Sequence, residues 1–253
     1  MENNKLNIAW CYPDMLSLHG DRGNIMALKK VGELLDLEVN INKIETYKTE
    51  INFDETDIMF FNVGEVKLVE TLKNVFEPQL DKLRDYIEKG KMIIAIGTTG
   101  AVFGKSLKRA DGTEIKGLGF LNMNCFERDM IYGDDIIFEL KDDESIKIAG
   151  NQIQIIDTKL EDDDIALGIV IYGYGNEGFE KKLEGAKYKN VIFTNALGPV
   201  LVKNPWYAEK LIKEAMKTKG VTIDKKIDES EYEIERNSYE CVKKYNELKV
   251  DMK

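Results

Sequence analysis

Hydrophobic positions along the chain change rhythm. In the first hundred residues they come in short unbroken runs: 6–11 (LNIAWC), 37–41, 57–62 (DIMFFN) and 91–96 (KMIIAI). Apolar runs of this length without alternation predict strands covered on both faces, as in a parallel sheet. Between them the apolar residues take helical spacing. Residues 24–35 (NIMALKKVGELL) read as one helix. Residues 68–88 read as a longer helix that Pro78 interrupts and Gly90 ends. This β-α-β alternation argues for a mostly parallel sheet flanked by helices, an α/β fold.

From residue 117 to 172 the rhythm shortens. DDIIFEL, IKIAG, QIQIID and LGIVIYG are separated by acidic or glycine turns, and they predict mostly antiparallel strands extending the same sheet. Residues 190–195 (NVIFTN) read as a late core strand. Pro205 opens an amphipathic helix over 205–217. From residue 224 the chain is highly charged, with helical spacing at Tyr232, Ile234, Tyr239, Val242 and Tyr245. It reads either as a solvated terminal helix or as one that packs on the core or a partner. The expected division is an α/β domain over 1–219 and a charged helical extension over 220–253.

Composition removes several functions. The formal net charge of -10 repels phosphate backbones, so no nucleic acid is expected. No segment reaches the roughly 18 apolar residues of a membrane span. The opening MENNKLNIAW has no basic stretch followed by an apolar one, so a cytoplasmic chain is expected. Cys11, Cys125 and Cys241 show neither disulfide-framework nor zinc spacing, which fits a reducing compartment. With His19 the one histidine, no His-rich metal site can be built, and neither metal nor cofactor is expected. The acidic run 161–164 (EDDD) reads as a solvated turn, because calcium loops space their ligands around a glycine.

Four segments carry the functional signal: YPDMLSLHGDRGNIMAL (12–28), IIAIGTTGAVFGKSLKRADGTEIKGLGFL (93–121), GYGNEGFEKKLEG (173–185) and KNVIFTNALGPVLVKNP (189–205). In order and spacing they resemble the GatD-type glutaminase subunits of lipid II isoglutaminyl synthase. Those subunits lie in the cobyric-acid-synthase-like branch of class I glutamine amidotransferases. The resemblance spans about residues 8–217. It implies a cysteine nucleophile at a sharp strand-to-helix turn, in a pattern close to C-G-G-x-Q-x-L-G. Backbone N–H groups there stabilise the oxyanion, and a histidine in a pattern close to L-H-G-P shuttles the proton.

In this chain the frame is present and the reacting groups are not. GTTGAVFG puts Gly97 at the cysteine position, Thr98 and Thr99 at the two glycines and Ala101 at the glutamine. ALGPV puts Leu197 at the histidine position. NVGEV puts Asn62 and Val63 at two glycines of the oxyanion loop and keeps Gly64. Met130 aligns with the substrate-binding arginine. Together these nine positions form an expected vestigial pocket with no catalytic residue. Cys11 ends the first strand, at the sheet edge where the family's active site lies, and reads as a small buried hydrophobe. Thr98 and Thr99 read as helix caps. The loop around His19, Asp21 and Arg22 is a candidate ligand or partner contact, or a loop in which Asp21 caps the next helix.

The resemblance therefore implies a degenerate, glutaminase-inactive subunit whose partner is a synthetase of Mur-ligase type. Two other readings stay open. One is an active glutaminase with relocated groups, supplying ammonia for cell-wall (peptidoglycan) lipid II or cobyric acid amidation. The other is a small-molecule sensor that uses the emptied pocket.

Overall fold

A computed structural model describes residues 4–20 and 22–251. The unbroken apolar runs become β1 (Lys5–Cys11), β3 (Ile58–Phe61), β4 (Met92–Ile96) and β12 (Val191–Thr194). β2 (Glu38–Ile44) lies at one edge and β11 (Ala186–Tyr188) at the other, in the order β11-β12-β4-β3-β1-β2. Every pair is parallel except β11 with β12.

Covering both faces is what the composition of β3 and β4 requires, since every residue in them is buried. Leu6, Ile8 and Trp10 of β1 join one core with α1 (Arg22–Leu34) and α6 (Pro205–Thr218). Ala9 and Cys11 point the other way, into a second core with α2 (Leu68–Phe76) and α3 (Leu80–Glu88). The 68–88 helix divides where expected: a 3-10 turn, Glu77–Gln79, carries Pro78, which has no N–H to continue the ladder.

The antiparallel strands do not extend this sheet. They build a second one from β5 (Ser106–Lys108), β6 (Glu114–Lys116), β7 (Met123–Leu140), β8 (Lys147–Leu160), β9 (Gly168–Tyr172) and β10 (Leu183–Glu184). β7 pairs along its length with β8, across an irregularity between Glu127 and Tyr132, and also with β5 and β9. The long hairpin satisfies its own backbone, and β11 already occupies the near edge of the first sheet. Several contacts join the second sheet to the parallel sheet and the helices on it. Asn151 and Leu197 exchange backbone hydrogen bonds at 3.1 and 2.8 Å. Trp206 Nε1 donates to Lys147 O at 2.9 Å. Asn204 bonds both backbone groups of Ala149, at 2.9 and 2.8 Å.

The charged tail is a helix, α7 (Glu233–Asp251), and it is not simply solvated. Tyr239 meets Trp206 edge-on, 6.2 Å between ring centres, and the Arg236 guanidinium lies 3.9 Å from the Trp206 ring centre. Tyr232 donates to Glu209, Asn246 to Asp135 and Lys249 to Asp134, at 3.1, 3.1 and 3.0 Å.

Candidate functional site

β4 runs into a tight turn at the C-terminal edge of the parallel sheet. Gly97–Thr99 form a 3-10 turn, and the short helix α4 (Gly100–Phe103) follows. Gly97 has φ +60°, a left-handed conformation that a side chain resists. A Cβ built there lies 2.8 Å from Val63 Cγ2 and 3.4 Å from Leu197 Cδ2. The positions aligned with nucleophile, proton shuttle and oxyanion loop therefore meet in space, about one hundred residues apart in sequence for the first two. The meeting is apolar. Gly198 shares the left-handed geometry (φ +95°), and a Cβ there would lie 2.6 Å from Asn151 Oδ1, which explains glycine after Leu197.

The threonines do not cap the helix. The Thr98 hydroxyl donates to Gly64 O at 2.5 Å and accepts from Gly64 N at 3.3 Å. Thr99 donates to Ile96 O at 2.9 Å. Thr98 reaches across to the loop after β3 and Thr99 reaches back to the end of its own strand, so neither hydroxyl serves the helix N–H groups. The consequence is chemical, because the Gly64 amide is already engaged and is not free for an oxyanion.

An inner void of about 20 Å³ sits on this junction, room for about one water molecule. Val63, Gly97, Thr98 and Ala101 line it. Asn62 and Thr99 are buried behind it, Asn62 accepting from Asn24 at 3.3 Å. Met130 does not join them: it is 77% exposed, at the irregularity in β7. The outer wall comes instead from β8 and its neighbours, with Gln154, Thr158, Asn195 and Cys125 facing the void. Sequence reasoning missed these, although Gln152, Gln154 and Thr158 fall on one strand face and all three are buried.

A polar network backs that wall. Glu184 is fully buried and accepts from Thr194 Oγ1, Asn195 N and Asn195 Nδ2 at 2.7, 2.7 and 3.1 Å. Burial raises its pKa despite those donors, which pull the other way. Asn195 also donates to Asn176, Gln154 to Asp157, and Arg128 to Asp157.

Outside the void opens a cleft of about 460 Å³, lined by His19, Val63, Gly64, Arg109, Ile131 and Ile153 among others. His19 is exposed there, with φ +58°. Arg22 turns away, 3.5 Å from Asp14 and 6.0 Å from the Trp10 ring centre. Asp21 lies outside the described residues.

No thiol stands ready to attack. Cys11 is fully buried and its pKa is raised by desolvation. Cys125 touches the void, but burial pushes its thiol up to about 12, with the Thr158 hydroxyl 3.8 Å away as a weak opposing partner. Cys241 is exposed on α7. The acidic run behaves as a solvated turn: Asp162 accepts from Asp164 N at 2.9 Å, and Glu161 pairs with Lys105 at 2.5 Å. No group of three or more His, Cys, Asp or Glu suited to a metal occurs among the described residues. No helix among them is long and apolar enough to cross a membrane.

The parallel sheet, the elbow after β4 and the facing turn after β12 define a glutamine amidotransferase fold. A solved glutamine amidotransferase shares it, with a TM-score of 0.55 and 15% identity, over 85% of this chain and 99% of that one. PurLQS from Thermotoga maritima does so at 0.50 and 14%, over 85% and 96%. More particularly, the chain belongs to the GatD family of lipid II isoglutaminyl synthase subunits. It is 32% identical over 232 residues to subunit GatD of the glutamine-hydrolyzing lipid II isoglutaminyl synthase of Staphylococcus aureus strain N315, covering 91% of this chain and 93% of the relative. The Streptococcus pneumoniae R6 subunit is 32% identical over 219 residues, covering 85% and 82%. No family model matches the chain.

Proposed function

We propose that this chain is a GatD-type subunit that does not hydrolyse glutamine and acts in the cytoplasm by contact with a synthetase of Mur-ligase type. One observation carries the reading: at the elbow, glycine faces leucine and valine where a thiolate must face an imidazole. Nucleophile and proton shuttle act as a unit, and losing either costs about as much as losing both. The occupied Gly64 amide and the small inner void point the same way. The eight vestigial positions other than Met130 are thus read as a frame kept for shape. The S. aureus and S. pneumoniae relatives are named as subunits of a glutamine-hydrolyzing enzyme, and we carry over the subunit role without the hydrolysis. Residues 1–219 form the amidotransferase-like unit in this reading, and 220–253 an accessory segment.

The test is glutamate release from glutamine by the purified chain, with and without a co-expressed synthetase, repeated for Cys11→Ala and Cys125→Ala. No release is expected in any arm. Turnover that vanishes with either alanine change would make that cysteine the nucleophile and restore the active-glutaminase reading.

A further inference from the structure

α7 has two apolar faces, and the core uses one of them. Tyr232 just ahead of it, then Tyr239, Asn246 and Lys249 all face inward and are anchored there. The second face is a line of Ile234, Ser238, Cys241, Tyr245 and Leu248. Alternating steps of four and three stack these residues along one side of a helix, the seam that a second helix fills with knobs and holes. The seam is open: Ile234 is 80% exposed, Tyr245 58% and Leu248 54%. Because the inner face is already docked, the outer row is not waiting for the chain's own core.

Charge along this segment selects the occupant. From 229 to 240 it carries Glu229, Glu231, Glu233, Glu235 and Glu240 against Arg236. From 241 to 251 it carries Lys243, Lys244 and Lys249 against Glu247 and Asp251. Lys249 is engaged with Asp134, and Lys243 lies 4.0 Å from both Glu240 and Glu247. Lys244 stays on the exposed flank of the seam. A segment that is strongly acidic in its first half and slightly basic in its second complements a copy of itself laid antiparallel. Laid parallel, like charges would meet. An antiparallel pair also satisfies a two-fold axis, the commonest symmetry of homodimers. The small Ser238 and Cys241 near the middle let two such helices approach closely.

We propose that α7 pairs antiparallel with α7 of a second copy of this chain, giving a two-fold dimer sealed at both ends by Ile234 and Leu248. The proposal stands independently of whether the site hydrolyses glutamine.

Sedimentation equilibrium of the full chain tests it, together with a short bis-maleimide. Cys11 and Cys125 are buried, so a crosslinked dimer formed under native conditions joins through Cys241. The expected result is a dimer that crosslinks, that Cys241→Ser leaves assembled but uncrosslinked, and that added salt weakens. Ile234→Lys with Leu248→Lys changes exposed positions, so the fold should persist by circular dichroism. The double change should weaken association by about a hundredfold or more, since two apolar knobs are replaced by charges. Three results would overturn the proposal. They are a monomer up to the solubility limit, a dimer indifferent to the double lysine change, and a Cys241 shielded from a thiol reagent only when a different protein is added.

Discussion

At Gly97 a methyl-sized substituent has nowhere to go: the backbone is left-handed and Val63 Cγ2 would lie 2.8 Å from it. Gly97→Cys alone should therefore destabilise the fold by about 1–3 kcal/mol before any chemistry is asked of it. Val63→Gly should relieve part of that cost. In a double-mutant cycle by urea denaturation the pair should couple favourably by roughly 0.5–3 kcal/mol. A Gly97→Cys protein as stable as wild type would show that the junction is looser than the geometry says. Any attempt to revive hydrolysis with Gly97→Cys and Leu197→His should for the same reason include Val63→Gly. Glu184 makes the second residue-scale prediction. Its folded pKa is raised above the ordinary value of 4.5, mainly by burial. Between those two values the folded state holds a proton that the unfolded state has released, so stability falls as pH climbs through that window. Below the window there is no penalty, and above it the full penalty applies. Glu184→Gln removes this slope. Its melting temperature relative to wild type should rise between acidic and neutral pH, and a difference that stays constant with pH would refute the assignment.

Between elements the decisive contacts are side chain to backbone. Asn204 is fully buried between α5 (Val200–Lys203) and α6, and its side chain makes three hydrogen bonds, two to Ala149 of β8 and one to Val200 O at 2.7 Å. Asn204→Ala would strand the Ala149 groups without partners, and each unmatched buried group costs about 1–3 kcal/mol. A loss on the order of 3–5 kcal/mol in chemical denaturation is expected, and a loss below about 1 kcal/mol would mean that water replaces the amide. Contacts of this kind also mark where the sequence stops being legible. Strands β1, β3, β4 and β12 could be read because burial on both faces leaves mostly apolar residues to see. β7 could not be read as one strand: its first half, MNCFERDM, is half polar and bends through an irregularity before DDIIFEL resumes. No local period announces that the hairpin keeps to its own sheet, since that depends on which edge β11 has already taken. The elbow and its leucine partner were legible through the resemblance. The Gln154–Asn195–Glu184 wall was not, because its members come from three separate elements and meet only after the second sheet folds over the first.

For the whole molecule the question is how far the tail belongs to the fold. Its spacing of Tyr232, Ile234, Tyr239, Val242 and Tyr245 suggested a single apolar stripe, but the structure sorts these residues into two. Tyr232 and Tyr239 turn inward, each more than nine-tenths buried, while Ile234 and Tyr245 turn out. The inward set covers Trp206, which is itself only 7% exposed and lies beneath the Arg236 guanidinium and the Tyr239 ring. Cutting the chain after Lys219 would strip both from the indole while leaving its own bond to Lys147 O. Removing a buried aromatic side chain typically costs about 3–5 kcal/mol, and the cut removes two. The truncated chain should therefore melt well below the full chain and show a red-shifted tryptophan emission. Trp10, the one other tryptophan, lies in β1 and is 8% exposed, so it should contribute little to that shift. Tyr239→Ala is the milder version, with a smaller red shift and a loss of about 3 kcal/mol. If the truncated chain keeps both its melting temperature and its emission maximum, the tail contributes nothing to the core, and its inner contacts are incidental to the fold.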